Sequence, residues 1–175
     1  MRSLGNATVI NSTLSGNESV GWHGAAVFQT DGVLDLVNST VADNTSPAGT
    51  GALFVGTFTD AGATMTLTNT IVSDNSALGC FAGFFGAGPV SLTSVGHNIA
   101  SDGSCNLTAA GDQPDTDPLL GPLADNGGPT LTHALGAGSP AIDAADAAVC
   151  PATDQRGVIR PQGAGCDVGA FEIVP

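Results

Sequence analysis

One short phrase occurs three times in the first half of this chain, and it restricts the fold more than any other feature. It reads Val-Ile-Asn-Ser-Thr-Leu-Ser-Gly-Asn over residues 9–17, Leu-Val-Asn-Ser-Thr-Val-Ala-Asp-Asn over 36–44, and Leu-Thr-Asn-Thr-Ile-Val-Ser-Asp-Asn over 67–75. The copies lie 27 and then 31 residues apart. A repeat of that length indicates a solenoid, in which each unit hides its apolar side against the next.

Registering the copies on Asn11, Asn38 and Asn69 aligns Val9, Leu36 and Leu67 before them and Leu14, Val41 and Val72 after them. Strand alternation puts Val9 and Asn11 on one face, but Leu14 breaks the parity, so a bend must fall between Asn11 and Leu14. Three short strands per turn with inward aliphatic columns is the geometry of a parallel β-helix. Asn11, Asn38 and Asn69 would stack at one bend, and Asn17, Asn44 and Asn75 at another. Stacked asparagines can pass side-chain hydrogen bonds from coil to coil, as in cross-β ladders; simple turn preference is the alternative. The 27-residue spacing also aligns Gly24 with Gly51, Ala26 with Leu53 and Phe28 with Val55.

A longer loop at residues 56–62 accounts for the extra length before the third copy. A degenerate fourth coil follows over 90–99. The segment Phe81-Ala-Gly-Phe-Phe-Gly-Ala-Gly before it reads as a Gly-rich loop with three aromatics, folded over the core; an exposed binding patch is the alternative. The repeats stop near residue 108 and proline becomes frequent. We expect two parts: coils over 1–108, and over 109–175 an irregular cap covering the last coil and its open β edge. Residues 134–137 and 141–149 could hold a helical turn.

Composition excludes several functions. Net charge is −13 with no lysine, and the arginines are Arg2, Arg156 and Arg160. Nucleic-acid binding needs a basic surface, and none exists. Anionic lipid headgroups are excluded on the same ground, and no stretch approaches a membrane span. Most of the acidity is aspartate at turns. Solvated turns are the plain reading; calcium is the alternative, because carboxylates at turns suit hard cations. No other cofactor is indicated. Cys80, Cys105, Cys150 and Cys166 lack zinc spacing. Pairing Cys80 with Cys105 and Cys150 with Cys166 closes loops of moderate size and implies an oxidising compartment; free buried thiols are the alternative. Met1 leads straight into repeat sequence with no export signal or cap ahead of it. A cytosolic chain is one reading; a fragment or mature segment of a longer exported chain is the one favoured.

The tail carries more specific signatures. Asp115-Thr-Asp-Pro-Leu-Leu-Gly-Pro-Leu-Ala-Asp-Asn-Gly-Gly-Pro-Thr-Leu-Thr-His-Ala-Leu precedes Gly138-Ser-Pro-Ala-Ile-Asp-Ala, Asp154-Gln-Arg-Gly-Val-Ile-Arg-Pro and Cys166-Asp-Val-Gly-Ala-Phe-Glu. These motifs, with Ser94-Val-Gly-His-Asn-Ile-Ala-Ser-Asp-Gly-Ser-Cys and the repeats ahead of them, resemble the choice-of-anchor Q domain proteins. That family consists of bacterial secreted right-handed β-helix proteins. The resemblance spans essentially the whole chain. It implies the fold and an extracellular or cell-surface location, and no common enzyme activity. The family often ends in an anchoring segment, which is not seen up to Pro175.

No catalytic set emerges from the residue pattern. A β-helix lyase needs a Lys or Arg base on the coils, and the coils have only Arg2. Arg156 and Arg160 suit structural ion pairs with Asp154 or Asp167. Asp43 and Asp74 share a height on adjacent coils, about 4.8 Å apart, close enough for a glycosidase pair. Gly16 fills the same slot in the first coil, so the slot reads as a turn; Asp31 and Asp35 flank another. His23, His97 and His133 are scattered and show no local triad signature. Asp112, Asp115 and Asp117 lack calcium-loop spacing. Asn-x-Ser/Thr triplets at Asn6, Asn11, Asn17, Asn38, Asn44 and Asn106 are largely by-products of the repeat. The alternation Thr64-Met-Thr-Leu-Thr resembles the threonine ranks of ice-binding solenoids, but does not recur in the linear repeats.

The expected fold is all-β, a right-handed parallel β-helix of about four coils with an irregular C-terminal cap. The expected role is non-catalytic: an exported bacterial surface protein for adhesion, carbohydrate contact or end-to-end assembly into filaments. A carbohydrate-active hydrolase or lyase is the alternative.

Overall fold

The computed structural model describes every residue except Trp22, His23, Ala48 and Phe85, with Phe84 described by its backbone alone. The repeats wind into a parallel β-solenoid. Its first rung holds β1 (Arg2–Leu4), β2 (Ala7–Ile10) and β3 (Thr13–Ser15). The second holds β4 (Val27–Thr30), β5 (Gly32–Val37) and β6 (Thr40–Ala42); the third β7 (Gly51–Thr57), β8 (Ala63–Thr68) and β9 (Ile71–Ser73). The fourth holds β10 (Leu78–Phe84), β11 (Val90–Gly96) and β12 (Ile99–Ala100). Equivalent strands stack into three parallel sheets of four strands each: sheet A (β1, β4, β7, β10), sheet B (β2, β5, β8, β11) and sheet C (β3, β6, β9, β12).

The interior is a set of aliphatic columns. Val9 pairs with Leu36 and Leu36 with Leu67; Leu14, Val41, Val72 and Ala100 form the matching column of sheet C. Leu34, Leu36, Leu53, Met65 and Leu67 have no exposed surface. Burial of such a side chain stabilises the fold by about 1.5–3 kcal/mol.

The corners have a shared backbone conformation. Asn11, Asn38, Asn69 and His97 take positive φ (48°, 43°, 49° and 55°) between sheets B and C, and Asp43 and Asp74 do so (56° and 55°) at the end of sheet C, where Gly16 has φ 67°. Asparagine, aspartate, glycine and histidine tolerate this left-handed region best.

Two sequence expectations need correction. In sheet A, Phe28 pairs with Phe54, and Val55 with Gln29. The turn before β7 absorbs a one-residue difference from the 27-residue spacing, which would otherwise point each side chain to the wrong face. Residues 81–84, read as loop, complete β10, which pairs with β7 through Phe81–Phe54 and Phe84–Thr57. The ladder satisfies these backbone groups despite the glycines. Of the three aromatics there, Phe85 lies outside the described residues.

The C-terminal segment also departs from expectation. Residues around Gln113 lie on the end of sheet C, with Gln113 donating to Asn98 O and accepting from Ala100 N. From there the chain leaves the end of the solenoid and runs along its flank as a strap. It forms an antiparallel hairpin, β13 (Leu120–Ala124) and β14 (Thr132–Leu135), and then turns where a helical turn was expected over 141–149. The cause is on sheet C itself. Ile71 and Ile99 point outward, and a second core of Leu135, Ala141, Val168 and Phe171 covers them. Gly169, at φ +93°, lies so close to Ile71 and Thr40 that a side chain there would clash. The disulfide Cys80–Cys105 ties β10 to the 3-10 turn over the last rung, and Cys150–Cys166 closes a loop within the strap.

Candidate functional site

The two asparagine columns behave differently. At the outer corner, Asn17 Nδ2 donates to Asn44 Oδ1 (2.8 Å), and Asn44 Nδ2 to Asn75 Oδ1 (2.9 Å). The backbone N–H of Asn17 and of Asn44 reach the same oxygens. At the inner corner only Asn69 and Asn38 bond to each other (3.0 Å). Each residue of this column also reaches the strap. Asn11 Nδ2 donates to Thr153 O, Asn38 Nδ2 to Asp167 O and Asn69 Nδ2 to Asp146 O. His97 Nδ1 lies 2.8 Å from Ala144 O. This corner is a docking strip for the strap, which alternation alone had placed on the face of Val9.

The tail motifs build the strap's own clasp. Arg160 is 6% exposed; its guanidinium pairs with Glu172 Oε2 (3.0 Å) and donates to the carbonyls of Asp167 and Gly169. Arg156 pairs with Asp154 (2.8 Å), donates to Glu172 O and lies over the Phe171 ring (3.6 Å). Asp154 is thus the partner of Arg156, whereas Arg160 takes the Glu172 carboxylate and only the backbone of Asp167. Burial pushes the Asp167 carboxyl above the usual range, against hydrogen bonds from the N–H groups of Ile173 and Asp143. Burial also lowers the Arg160 guanidinium, which the Glu172 carboxylate opposes.

The candidate acidic sites separate. Asp31 accepts from Thr57 and Thr59, Asp35 from Thr66, and Asp74 from Ser73. Asp112 caps Asn98 and Ala109, and Asp117 caps Leu119. Among the described residues no three His, Cys, Asp or Glu side chains converge as a metal set. His23 lies outside the described residues.

Two features with chemical potential remain. The first is the outer face of sheet B. The strap covers sheet C, and the outward column of sheet A is Phe28, Phe54 and Phe81, of which Phe28 and Phe54 are 4% and 1% exposed. Among the described residues sheet B is uncovered, and its outward residues are exposed or half-buried on every rung apart from Thr68, which is 9% exposed. Its central row runs Thr8, Asp35, Thr66, Thr93. A second row runs Val33, Thr64, Ser91, and Ile10 and Val95 flank them as exposed aliphatics. Threonine therefore does recur across rungs. Thr8, Asp35 and Thr66 each stand three residues before Asn11, Asn38 and Asn69, so the row was present in the linear repeat, interrupted by aspartate on the second rung.

The second feature joins residues 118 apart. Ser15 Oγ lies 2.8 Å from His133 Nε2, and His133 Nδ1 lies 2.8 Å from Gly121 O. Asp43 Oδ2 is 3.9 Å from the same Nε2. The aspartate once considered as half of a glycosidase pair thus turns toward the strap. No sequence signal marked this cluster, because the hairpin that carries His133 docks on the first rung only in the folded state.

No family model matches this chain, and no curated protein or solved structure matches it either. The two disulfides are compatible with an extracellular protein. Among the described residues no helix is long and apolar enough to cross a membrane.

Proposed function

We propose that this is an exported bacterial surface solenoid that works by contact with neutral polysaccharide, and that the outer face of sheet B is the contact surface. The observation behind it is the set of uncovered, in-register hydroxyl rows on that sheet. A hydroxyl both donates and accepts, and its partner on the next rung lies about 4.8 Å away, close to the length of one sugar ring. Exposed Ile10, Val33 and Val95 add apolar patches beside the hydroxyls, which suits the mixed character of a pyranose. The strands hold these groups in place before any ligand arrives, which lowers the ordering cost of binding. Asp35 is the only ionisable group in these rows, on a chain of net charge −13. Long-range repulsion disfavours anionic polymers such as pectin or alginate. The tail motifs that resemble choice-of-anchor Q domain proteins support a cell-surface or extracellular location, as do the disulfides.

The test is retention on insoluble neutral glucan and chitin compared with pectin and alginate. Wild-type protein should be retained on a neutral polymer, with little sensitivity to salt. The double variant T8E/T93E, altered at exposed positions, should keep its fold and lose at least about tenfold in affinity, the loss of roughly one or two net hydrogen bonds. No retention of the wild type, or equal retention of the variant, overturns the reading. Fibres in electron microscopy would instead favour end-to-end assembly through the terminal strands of sheets A and B. Release of soluble sugar would favour the enzyme alternative.

A further inference from the structure

We propose that Ser15 and His133 form a nucleophile–base pair that cleaves short-chain acyl esters, an activity independent of polysaccharide contact. A carbonyl oxygen can only accept a hydrogen bond, so Gly121 O places the imidazole proton on Nδ1. Nε2 then carries the lone pair, and the Ser15 hydroxyl donates to it at 2.8 Å. A nucleophile, a base within hydrogen-bond reach and a third group that sets the base's tautomer are the parts that activated-serine chemistry requires.

Burial supports these roles. His133 is 3% exposed, which protects the tautomer from exchange with water partners. Ser15 is half-buried, so its hydroxyl is reachable. Asp43, with its side chain 54% exposed, approaches Nε2 rather than Nδ1. It therefore attracts the imidazolium formed after proton transfer and leaves the tautomer to Gly121. β3 is the terminal strand of its sheet, and a terminal strand presents backbone N–H groups along its open edge, donors of the kind that hold a developing oxyanion. A shallow seam between the first rung and the strap, lined by Ser12, Thr13, Leu14, Thr130, Leu131 and Gln155, ends one residue before Ser15. Its size suits a short acyl group.

In the first step Ser15 Oγ bonds to the ester carbonyl carbon, its proton passes to His133 Nε2, and the ester C–O bond breaks as that proton moves to the leaving alcohol. In the second, water adds to the acyl-serine and gives its proton to Nε2. The Ser15 C–O bond then breaks, Ser15 regains the proton, and the free acid leaves.

The experiment uses the intact protein with p-nitrophenyl acetate as substrate and a fluorophosphonate as covalent probe, read by mass spectrometry. We expect an adduct on Ser15, and ester hydrolysis above that of buffer alone. S15A should lose both with an unchanged circular dichroism spectrum. H133Q should lower the rate about 100-fold or more, the usual contribution of a positioned base. S91A, an exposed serine on sheet B away from the seam, should leave both unchanged. A merely structural hydrogen bond predicts no adduct. Folded protein without an adduct on Ser15, or hydrolysis that survives S15A, overturns the proposal.

Discussion

Asn44 shows what one side chain does in a solenoid corner. Its Oδ1 accepts from the Nδ2 and the backbone N–H of Asn17, while its Nδ2 donates to Asn75, Leu14 O and Ala42 O. Asn44 is fully buried and Asn17 is exposed. Asn44→Ala should therefore cost about 3 kcal/mol, because stranded buried partners bear their full desolvation penalty, whereas Asn17→Ala should cost about 1 kcal/mol. Urea denaturation of the two variants measures the difference, and equal losses would contradict the account. The asparagine columns were legible because both corners repeat in sequence. The role of His97 was not. It shares backbone conformation and donor capacity with the asparagines, and those properties, rather than residue identity, repeat in the fourth rung.

At the scale of the element, β9 and β12 differ from the strands they stack on. Thr13 and Thr40 face outward on the first two rungs, whereas Ile71 and Ile99 do so on the last two. With Ile71 and Ile99 buried on the outside and Val72 and Ala100 on the inside, β9 and β12 are apolar on both faces, the pattern of a covered sheet. A cap confined to the end of the solenoid would leave Ile71 and Ile99 in water, whereas a strap along sheet C buries them. Ile99→Ala should cost about 2–5 kcal/mol through a cavity beneath the strap, while Ile10→Ala, on the uncovered face of sheet B, should stay within about 0.5 kcal/mol. Thermal unfolding compares them; similar midpoints would mean that the strap does not pack on sheet C in solution. β10 teaches the opposite lesson. Its glycines argue for a loop in isolation, and pairing with β7 overrides them.

For the whole molecule the strap changes how the solenoid should unfold. Repeat arrays are stabilised by nearest-neighbour contacts and can fray from their ends. Here one covalent segment bonds to Asn11 and Thr13 on the first rung, Asn38 and Thr40 on the second, Asn69 on the third and His97 on the fourth. All four rungs should therefore unfold in one cooperative transition. Native-state hydrogen exchange checks this: the amides of β6 and β9 should share one opening free energy, and a graded series along the axis would refute it. The winding and the aliphatic columns of sheets B and C were determined by the sequence alone, because each depends on a spacing that recurs at short range. The path of residues 117–175 along the flank was decided only in three dimensions. So were the exposure of sheet B and the meeting of Ser15 with His133. Those features depend on which outward face is left apolar and on how the strap brings distant residues together, and neither leaves a period in the chain.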